Sequence, residues 1–243
     1  MPEIRRVARS ICPLSFLRIT GGEPFLRSDL PQVVEAFVRE SGVKSIGIIT
    51  NGTLPDPAAS VVDEIFLRCP SINLDLGISV DGLRETHDRL RNKPGTFDSC
   101  RDTAERIAQL RTFLPRLRLT LVVTLSSANA GELDALFDEI STWGADRISP
   151  NLLRGRVKDG DISPVNVGDY ERFFFKCENY HKERDRAVRS MVQRAKNRLT
   201  RDTIREILEH NTSVLPCLAA KSIGVLYTDG VVGVCEPLFH ENR

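Results

Sequence analysis

Residues 16–27, FLRITGGEPFLR, set an apolar strand-like run directly before two adjacent glycines, a glutamate and a proline. An ordinary strand-to-helix turn needs no such group. Glycine lets a ligand approach the main chain within hydrogen-bonding distance, and main-chain carbonyls beside a carboxylate form a receptor for a compact ammonium group. Phosphate loops are built differently, from free N–H donors at a helix N-terminus, often with a lysine. Here an acid and a proline follow the glycines instead.

Working outward, the same strand-then-helix pattern recurs. FLRIT (16–20) precedes a helix over 29–41, in which Leu30, Val33, Val34, Phe37 and Val38 follow the 3.6-residue spacing. KSIGIIT (44–50) precedes a helix near 57–68, INLDLGISV (72–80) one near 96–112, and LRLTLVVTL (117–125) one near 130–143. DRISPNLL (146–153) is the fifth strand, and 167–211 reads as mostly helical. Repeated units of this kind imply a parallel sheet with helices outside it, either open or closed toward a barrel.

In such folds the C-terminal strand ends share one rim, and the loops there carry binding and catalysis. The five endings are Gly21-Gly22-Glu23-Pro24, Thr50-Asn51-Gly52, Ser79-Val80-Asp81-Gly82, Thr124-Leu125-Ser126 and Asn151 to Arg154. Any single turn favours Gly, Asn, Asp and Ser for backbone reasons. Five polar or glycine-rich endings converging on one face point to a site.

Composition bounds the remaining possibilities. A chain of 243 residues can bury one sizeable core with an appendage. Lys plus Arg is 34 against 33 for Asp plus Glu, so a net charge of +1 makes no case for nucleic acid or an anionic membrane. No apolar run approaches the roughly 18 to 20 residues that span a bilayer, and residues 1–10 are too charged for a signal peptide. The expectation is a soluble, cytoplasmic protein. Six scattered cysteines favour free thiols or metal ligands over a disulfide framework. Residues 181–210 mix arginines with acids around an apolar stripe that includes Val192, Leu199, Ile204 and Ile207, which reads as a solvated helix face. Trp143 reads as core.

The C-terminus carries a second signal. SIGVLYTDGVVGV (222–234) forms an apolar hairpin around Asp229-Gly230, a dipeptide suited to a type I′ turn. Pairing about that turn sets Cys235 opposite Gly224 and brings Cys217 near. Two cysteines are half a tetrahedral metal site, though the spacing by itself favours two buried thiols beside a hairpin.

Together LRITGGEPFLRSDL, IITNG, ISVDG followed by HDRLRNKPGTFD, and the spacing of Cys217, twelve residues, Gly230, four residues, Cys235 resemble the radical S-adenosylmethionine superfamily. The match is to the subgroup with a SPASM or twitch extension, and it covers about 14–237. The resemblance implies a partial (β/α)6 TIM-like barrel with a C-terminal helical segment and a cysteine-bearing β-hairpin. It divides the chain into a core barrel (1–165), a helical connector (166–211) and the start of an auxiliary-cluster domain (212–243). It implies reductive cleavage of S-adenosylmethionine at a [4Fe-4S] cluster and hydrogen abstraction by a 5′-deoxyadenosyl radical. The substrate would be a peptide or small molecule, and the electron donor flavodoxin- or ferredoxin-like.

Carried over by position, Gly21, Gly22 and Glu23 match the segment that receives the methionine ammonium. Ser79 and Arg91 stand where related enzymes grip the cofactor carboxylate and ribose. Asn51 and Asp81 share that rim, and Leu152 corresponds to an adenine-side contact. His87 and Asp88 would shape the loop presenting Arg91, while Thr124, Ser126 and Arg154 are candidates for the substrate side. Cys217 and Cys235 would be metal ligands of a possible auxiliary [4Fe-4S] cluster.

One departure stands out. The family's cluster ligands are three cysteines spaced CxxxCxxC upstream of the GGE strand, and Cys12 stands alone nine residues before Gly21. Five strand-helix units occur where the barrel has six. The expectation is therefore a barrel lacking its first βα unit, an internal piece of a longer enzyme that is itself inactive. Degeneration is the alternative, giving a cluster-less binder of S-adenosylmethionine or peptide, or a scaffold whose hairpin holds structural zinc.

Overall fold

The computed structural model describes residues 1–153, 160–184, 189–210, 214–219 and 221–235. In chain order the elements are α1 (Pro2–Ser10), β1 (Leu17–Ile19), a 3₁₀ turn (Pro24–Leu26), α2 (Leu30–Ser41), β2 (Ser45–Thr50), α3 (Pro55–Arg68), β3 (Asn73–Ser79), α4 (Arg84–Leu90), α5 (Thr96–Arg111), β4 (Leu117–Leu125), α6 (Leu133–Ile140), β5 (Arg147–Leu152), α7 (Val167–Arg184), α8 (Arg189–His210), β6 (Val225–Leu226) and β7 (Val232–Gly233).

The first five strands form one parallel sheet in the order β1-β2-β3-β4-β5. The choice between an open doubly wound sheet and a barrel-like sheet follows from that order. Parallel crossovers are right-handed, so a strand order that never reverses puts every crossover helix on the same face. The alternation within the strands agrees. Ile46 and Ile48 of β2, Leu74, Leu76 and Ile78 of β3, and Leu119, Leu121, Val123 and Leu125 of β4 are buried. The intervening positions Arg18 and Arg118 are exposed, Asp75 and Ser79 half-buried, and the register sets Arg18, Gly47, Asp75 and Arg118 side by side on the opposite face. The architecture is thus α/β, a curved parallel sheet with helices along one side. Trp143 is core, its ring meeting Phe97 edge-on at 5.2 Å between centroids.

Two helices escaped the sequence reading. Residues 2–10 form α1, whose Ala8 is fully buried while Arg9 pairs with Glu40 of α2 at 2.6 Å. With so few apolar positions among charges, its helical stripe was illegible. Residues 84–90, expected as loop, form the short helix α4, and Arg91 is its C-cap. The helix expected near 130–143 is shorter, a 3₁₀ turn at Ala130–Glu132 followed by α6. No helix among the described residues is long and apolar enough to cross a membrane.

The hairpin forms in a different register. Val225 lies opposite Gly233 and Leu226 opposite Val232, so Cys235 falls opposite Ile223 and not Gly224. The turn has three residues. The Gly230 N–H donates to Tyr227 O and the Tyr227 N–H to Val231 O, with Gly230 alone at positive φ (+86°). A type I′ turn would force Asp229 into the left-handed region as well. The longer loop leaves that conformation to glycine.

Candidate functional site

The strand order brings the C-terminal ends of β1 to β5 onto one edge of the sheet, and rim side chains tie four of these ends together in two pairs. The Glu23 carboxylate joins the first to the second. Its Oε1 accepts from the Phe25 N–H (3.1 Å) and the Thr50 hydroxyl (2.8 Å), and its Oε2 from the Asn51 N–H (2.8 Å). A carboxylate offers about four acceptor positions, so one remains. Beside it, a Cβ added at Gly21 or Gly22 would meet nothing within 4 Å, and Gly21 has φ +93°. The bare backbone therefore faces open space next to an anchored carboxylate. Asn51 Oδ1 accepts from the Thr53 N–H and hydroxyl, at 2.9 and 2.7 Å, which fixes the amide plane.

At the third and fourth ends, Asp81 is the junction. Its Oδ2 accepts from Arg91 Nη2 at 2.5 Å and its Oδ1 from the Thr124 N–H at 3.1 Å. Among the described residues Arg91 Nε is buried with no hydrogen-bond partner, leaving donor capacity on that guanidinium. Buried Asn129 completes the junction. Its Nδ2 donates to Asp81 O and Thr124 O, both at 2.8 Å, while its Oδ1 accepts from the Ser126 N–H at 3.0 Å. Glu132 accepts from the Leu83 N–H and the Thr86 hydroxyl, anchoring the start of α4.

Two groups beneath the rim are fully buried, His87 and Cys100. Burial pushes the His87 imidazole below its usual range, and the nearby Arg91 cation works in the same direction. Burial likewise pushes the Cys100 thiol up to about 12. Both are neutral groups, unsuited to act as a reactive thiolate-imidazolium pair. Asp88 behaves oppositely. Burial opposes its ionisation, but the Thr96 hydroxyl and the N–H groups of Phe97 and Gly95 outweigh that and bring it to about 2. Its carboxylate thereby caps the N-terminus of α5.

Of the residues singled out from sequence, Gly21, Gly22, Glu23, Asn51, Asp81 and Arg91 sit on this rim, and Glu23, Asn51, Asp81 and Arg91 join its hydrogen-bond network. Ser79, the last residue of β3, is half-buried on the same sheet face as Asn51, and Thr124 and Asn151 follow one layer higher by register. Leu152 pairs with Leu125, so strand alternation puts it on the helix-packed face, against the core. That placement separates it from the face of Ser79. Arg154 lies outside the described residues. Cys217 is exposed and Cys235 half-buried, both as free thiols. The sequence reading missed Asn129, Glu132 and Cys100 and named Thr50 only as part of a strand ending; all four act on partners 27 to 49 positions away along the chain. A cleft of about 840 Å³ between α7 and α8, lined by Phe175, Lys182 and Arg201 among others, lies away from the rim.

Fold and site together define a single-wound parallel α/β protein with a polar, glycine-bearing rim at its C-terminal strand ends. Residues 1–149 match the Radical SAM superfamily, and the chain belongs to that family. It is 32% identical over 120 residues to the Fe-coproporphyrin III synthase of Methanosarcina barkeri, covering 49% of this chain and 27% of that protein. It is 43% identical over 194 residues to a GTP 3',8-cyclase of Stenotrophomonas maltophilia, covering 78% of this chain and 52% of that protein. The matches to these two relatives thus cover between about a quarter and a half of their length. Among solved structures, native anSMEcpe with bound AdoMet and Kp18Cys peptide superposes with a TM-score of 0.62 at 16% identity, covering 98% of this chain and 65% of that one. At that identity the likeness shows the fold, a partial barrel.

Family membership implies S-adenosylmethionine and a [4Fe-4S] cluster, and the residues present fit the two differently. For S-adenosylmethionine there are an open glycine backbone, a carboxylate with spare acceptor capacity and an arginine whose buried Nε has no partner among the described residues. For the cluster, no group of three or more His, Cys, Asp or Glu among the described residues could hold a metal ion. The described residues do not supply its ligand set.

Proposed function

We propose that this chain carries the S-adenosylmethionine-handling face of a radical enzyme acting on a peptide or small-molecule substrate, with peptide or protein maturation or oxidation as the reaction class. The observation that carries the reading is the open Gly21-Gly22 backbone beside Glu23, held by hydrogen bonds at a fixed distance from the next strand end. S-Adenosylmethionine, when bound, supplies the 5′-deoxyadenosyl group that takes hydrogen from the substrate.

The chain's own residues bind and orient. The carbonyls at Gly21 and Gly22, with the remaining lone pair of Glu23, receive the ammonium group. Arg91 offers Nε to the carboxylate while Asp81 holds the neighbouring Nη2, a use of the planar guanidinium that lysine cannot reproduce. Ser79 and Asn51 face the same side of the sheet and serve the ribose. Thr124 and Ser126 belong to the substrate side. An external flavodoxin- or ferredoxin-like protein is the electron source in this reading, and Cys217 and Cys235 would be two ligands of an auxiliary cluster whose full ligand set is not among the described residues. The motif set of the SPASM subgroup supports a peptide substrate, while relatives named for GTP and for porphyrin chemistry support the small-molecule branch.

Titration calorimetry with S-adenosylmethionine tests the binding face. Arg91→Ala should weaken binding by about 1.5 to 3 kcal/mol, the range for hydrogen bonds to a charged group, and Arg91→Lys should restore only part. Unchanged affinity in both variants removes Arg91 from the site. A second reading, a binder without redox chemistry, is favoured for this chain by its lack of a cluster ligand set among the described residues. Incubated with iron, sulfide, dithionite and S-adenosylmethionine, it should then yield no 5′-deoxyadenosine. Product abolished by replacing Cys12 would overturn that second reading.

A further inference from the structure

His87 and Cys100 are both fully buried, 13 positions apart on α4 and α5, and neither touches the open side of the rim. His87 Nδ1 lies 3.1 Å from the Asp81 main-chain nitrogen. A peptide N–H only donates, so Nδ1 carries a lone pair and the ring proton sits on Nε2. Nε2 faces Cys100 Sγ at 3.7 Å. The thiol hydrogen then goes to the Asn51 carbonyl, 3.1 Å away, with the Ser79 carbonyl at 3.7 Å as the nearby alternative. Each group donates in one direction, from the Asp81 N–H through imidazole and thiol to the Asn51 carbonyl. The chain of bonds closes only in that tautomer.

We propose that His87 and Cys100 form a neutral relay that locks the Asn51 turn to the Asp81 turn, making both positioning residues for the ligand held by this rim. The inference rests on the reading of the rim as an S-adenosylmethionine site. Its physical content is that Asn51 and Asp81 belong to different strand ends whose rim side chains make no direct hydrogen bond to one another among the described residues. Gly52 fits the same role. A Cβ there would lie 2.7 Å from Cys100 Sγ, so the second turn is drawn against the thiol as closely as glycine permits. Asp81 in turn orients Arg91, so the relay sets the separation between the Asn51 amide and the guanidinium.

The experiment has two arms on the full chain. Long-range ¹H–¹⁵N spectra at pH 7 should show His87 as the Nε2–H tautomer. Cys100→Ala should move the Asp81 amide resonance, and Cys100→Ser, which keeps a donor and an acceptor, should return it toward the native position. An Nδ1–H or charged ring, or an Asp81 amide indifferent to Cys100→Ala, overturns the relay. In calorimetry, Cys100→Ala should weaken S-adenosylmethionine binding between about twofold and tenfold, the equivalent of one lost hydrogen bond, with partial recovery in Cys100→Ser. Cys177→Ala, at a buried thiol of α7 outside the rim, is the control for destabilisation alone and should leave affinity unchanged. Equal effects of Cys100→Ala and Cys177→Ala, or none in Cys100→Ala, overturn this inference while the binding reading stands. No binding by the native chain overturns the binding reading and the positioning role with it, and the spectra still decide whether the relay exists.

Discussion

Replacing Gly52 with alanine probes the tightest joint beneath the rim. Gly52 has φ +72°, and a Cβ built there lies 2.7 Å from Cys100 Sγ, 2.9 Å from Ile78 Cγ2 and 3.1 Å from Cys100 Cα. Two terms add. Holding a non-glycine residue in the left-handed region costs about 1–2 kcal/mol. Forcing a methyl into packed neighbours costs about 1–3 kcal/mol, and here one of those neighbours is backbone, which cannot rotate away. The total is about 2–5 kcal/mol. Gly95→Ala separates the terms, because Gly95 has φ +81° but nothing within 4 Å of its added Cβ. It should lose only the about 1–2 kcal/mol conformational share. In the double variant Gly52→Ala, Cys100→Ala the Sγ clash disappears but the crowding against the residue 100 backbone remains, so the combined loss should be smaller than the sum of the single losses. Urea unfolding followed by circular dichroism provides the comparison. A Gly52→Ala loss no larger than that of Gly95→Ala would refute the packing argument.

Further outcomes follow from the same network. Asp88→Asn should remove a pH-dependent contribution: the folded group titrates at about 2 against an ordinary 3.8, so its stabilisation is present above about pH 4 and lost as pH falls toward 2. Discounted for partial exposure it amounts to about 1 kcal/mol, and unfolding curves between pH 2 and 6 for both proteins should converge at the acid end. Asn129→Ala deletes three buried hydrogen bonds. At about 0.5–1.5 kcal/mol each it should destabilise by about 1.5–4.5 kcal/mol, and amide exchange at Ser126 should accelerate beyond the global effect. An aromatic disulfide reagent should modify the exposed Cys12 and Cys217 promptly, while Cys69, Cys100 and Cys177, buried and with thiols pushed up, should react only on unfolding. Rapid labelling of Cys100 in the folded protein would contradict its buried place beneath the rim.

Period and punctuation were enough to place the five parallel strands and the main helices, because β-strand runs such as LRLTLVVTL bury one face and α2 carries its apolar stripe at helical spacing. They were also enough to put Gly21 to Glu23, Asn51, Ser79 and Asp81 on one rim, since parallel strands have their C-terminal ends on one side whatever their order. Three things were decided only by tertiary structure. The unreversed strand order chose the single-sided arrangement over the open sheet, a choice made by which strands find each other as neighbours and not by any local pattern. The hairpin register moved by one residue, because a three-residue turn spares Asp229 the left-handed conformation that a two-residue turn demands. Most of the network beneath the rim was illegible for a related reason: Cys100, Asn129 and Glu132 are unremarkable residues in their own segments, and Thr50 and His87 were read only as part of a strand ending and of the loop before Arg91. They acquire roles only when folding brings carbonyls, amides and carboxylates from distant strand ends within 2.7 to 3.1 Å and removes water from between them.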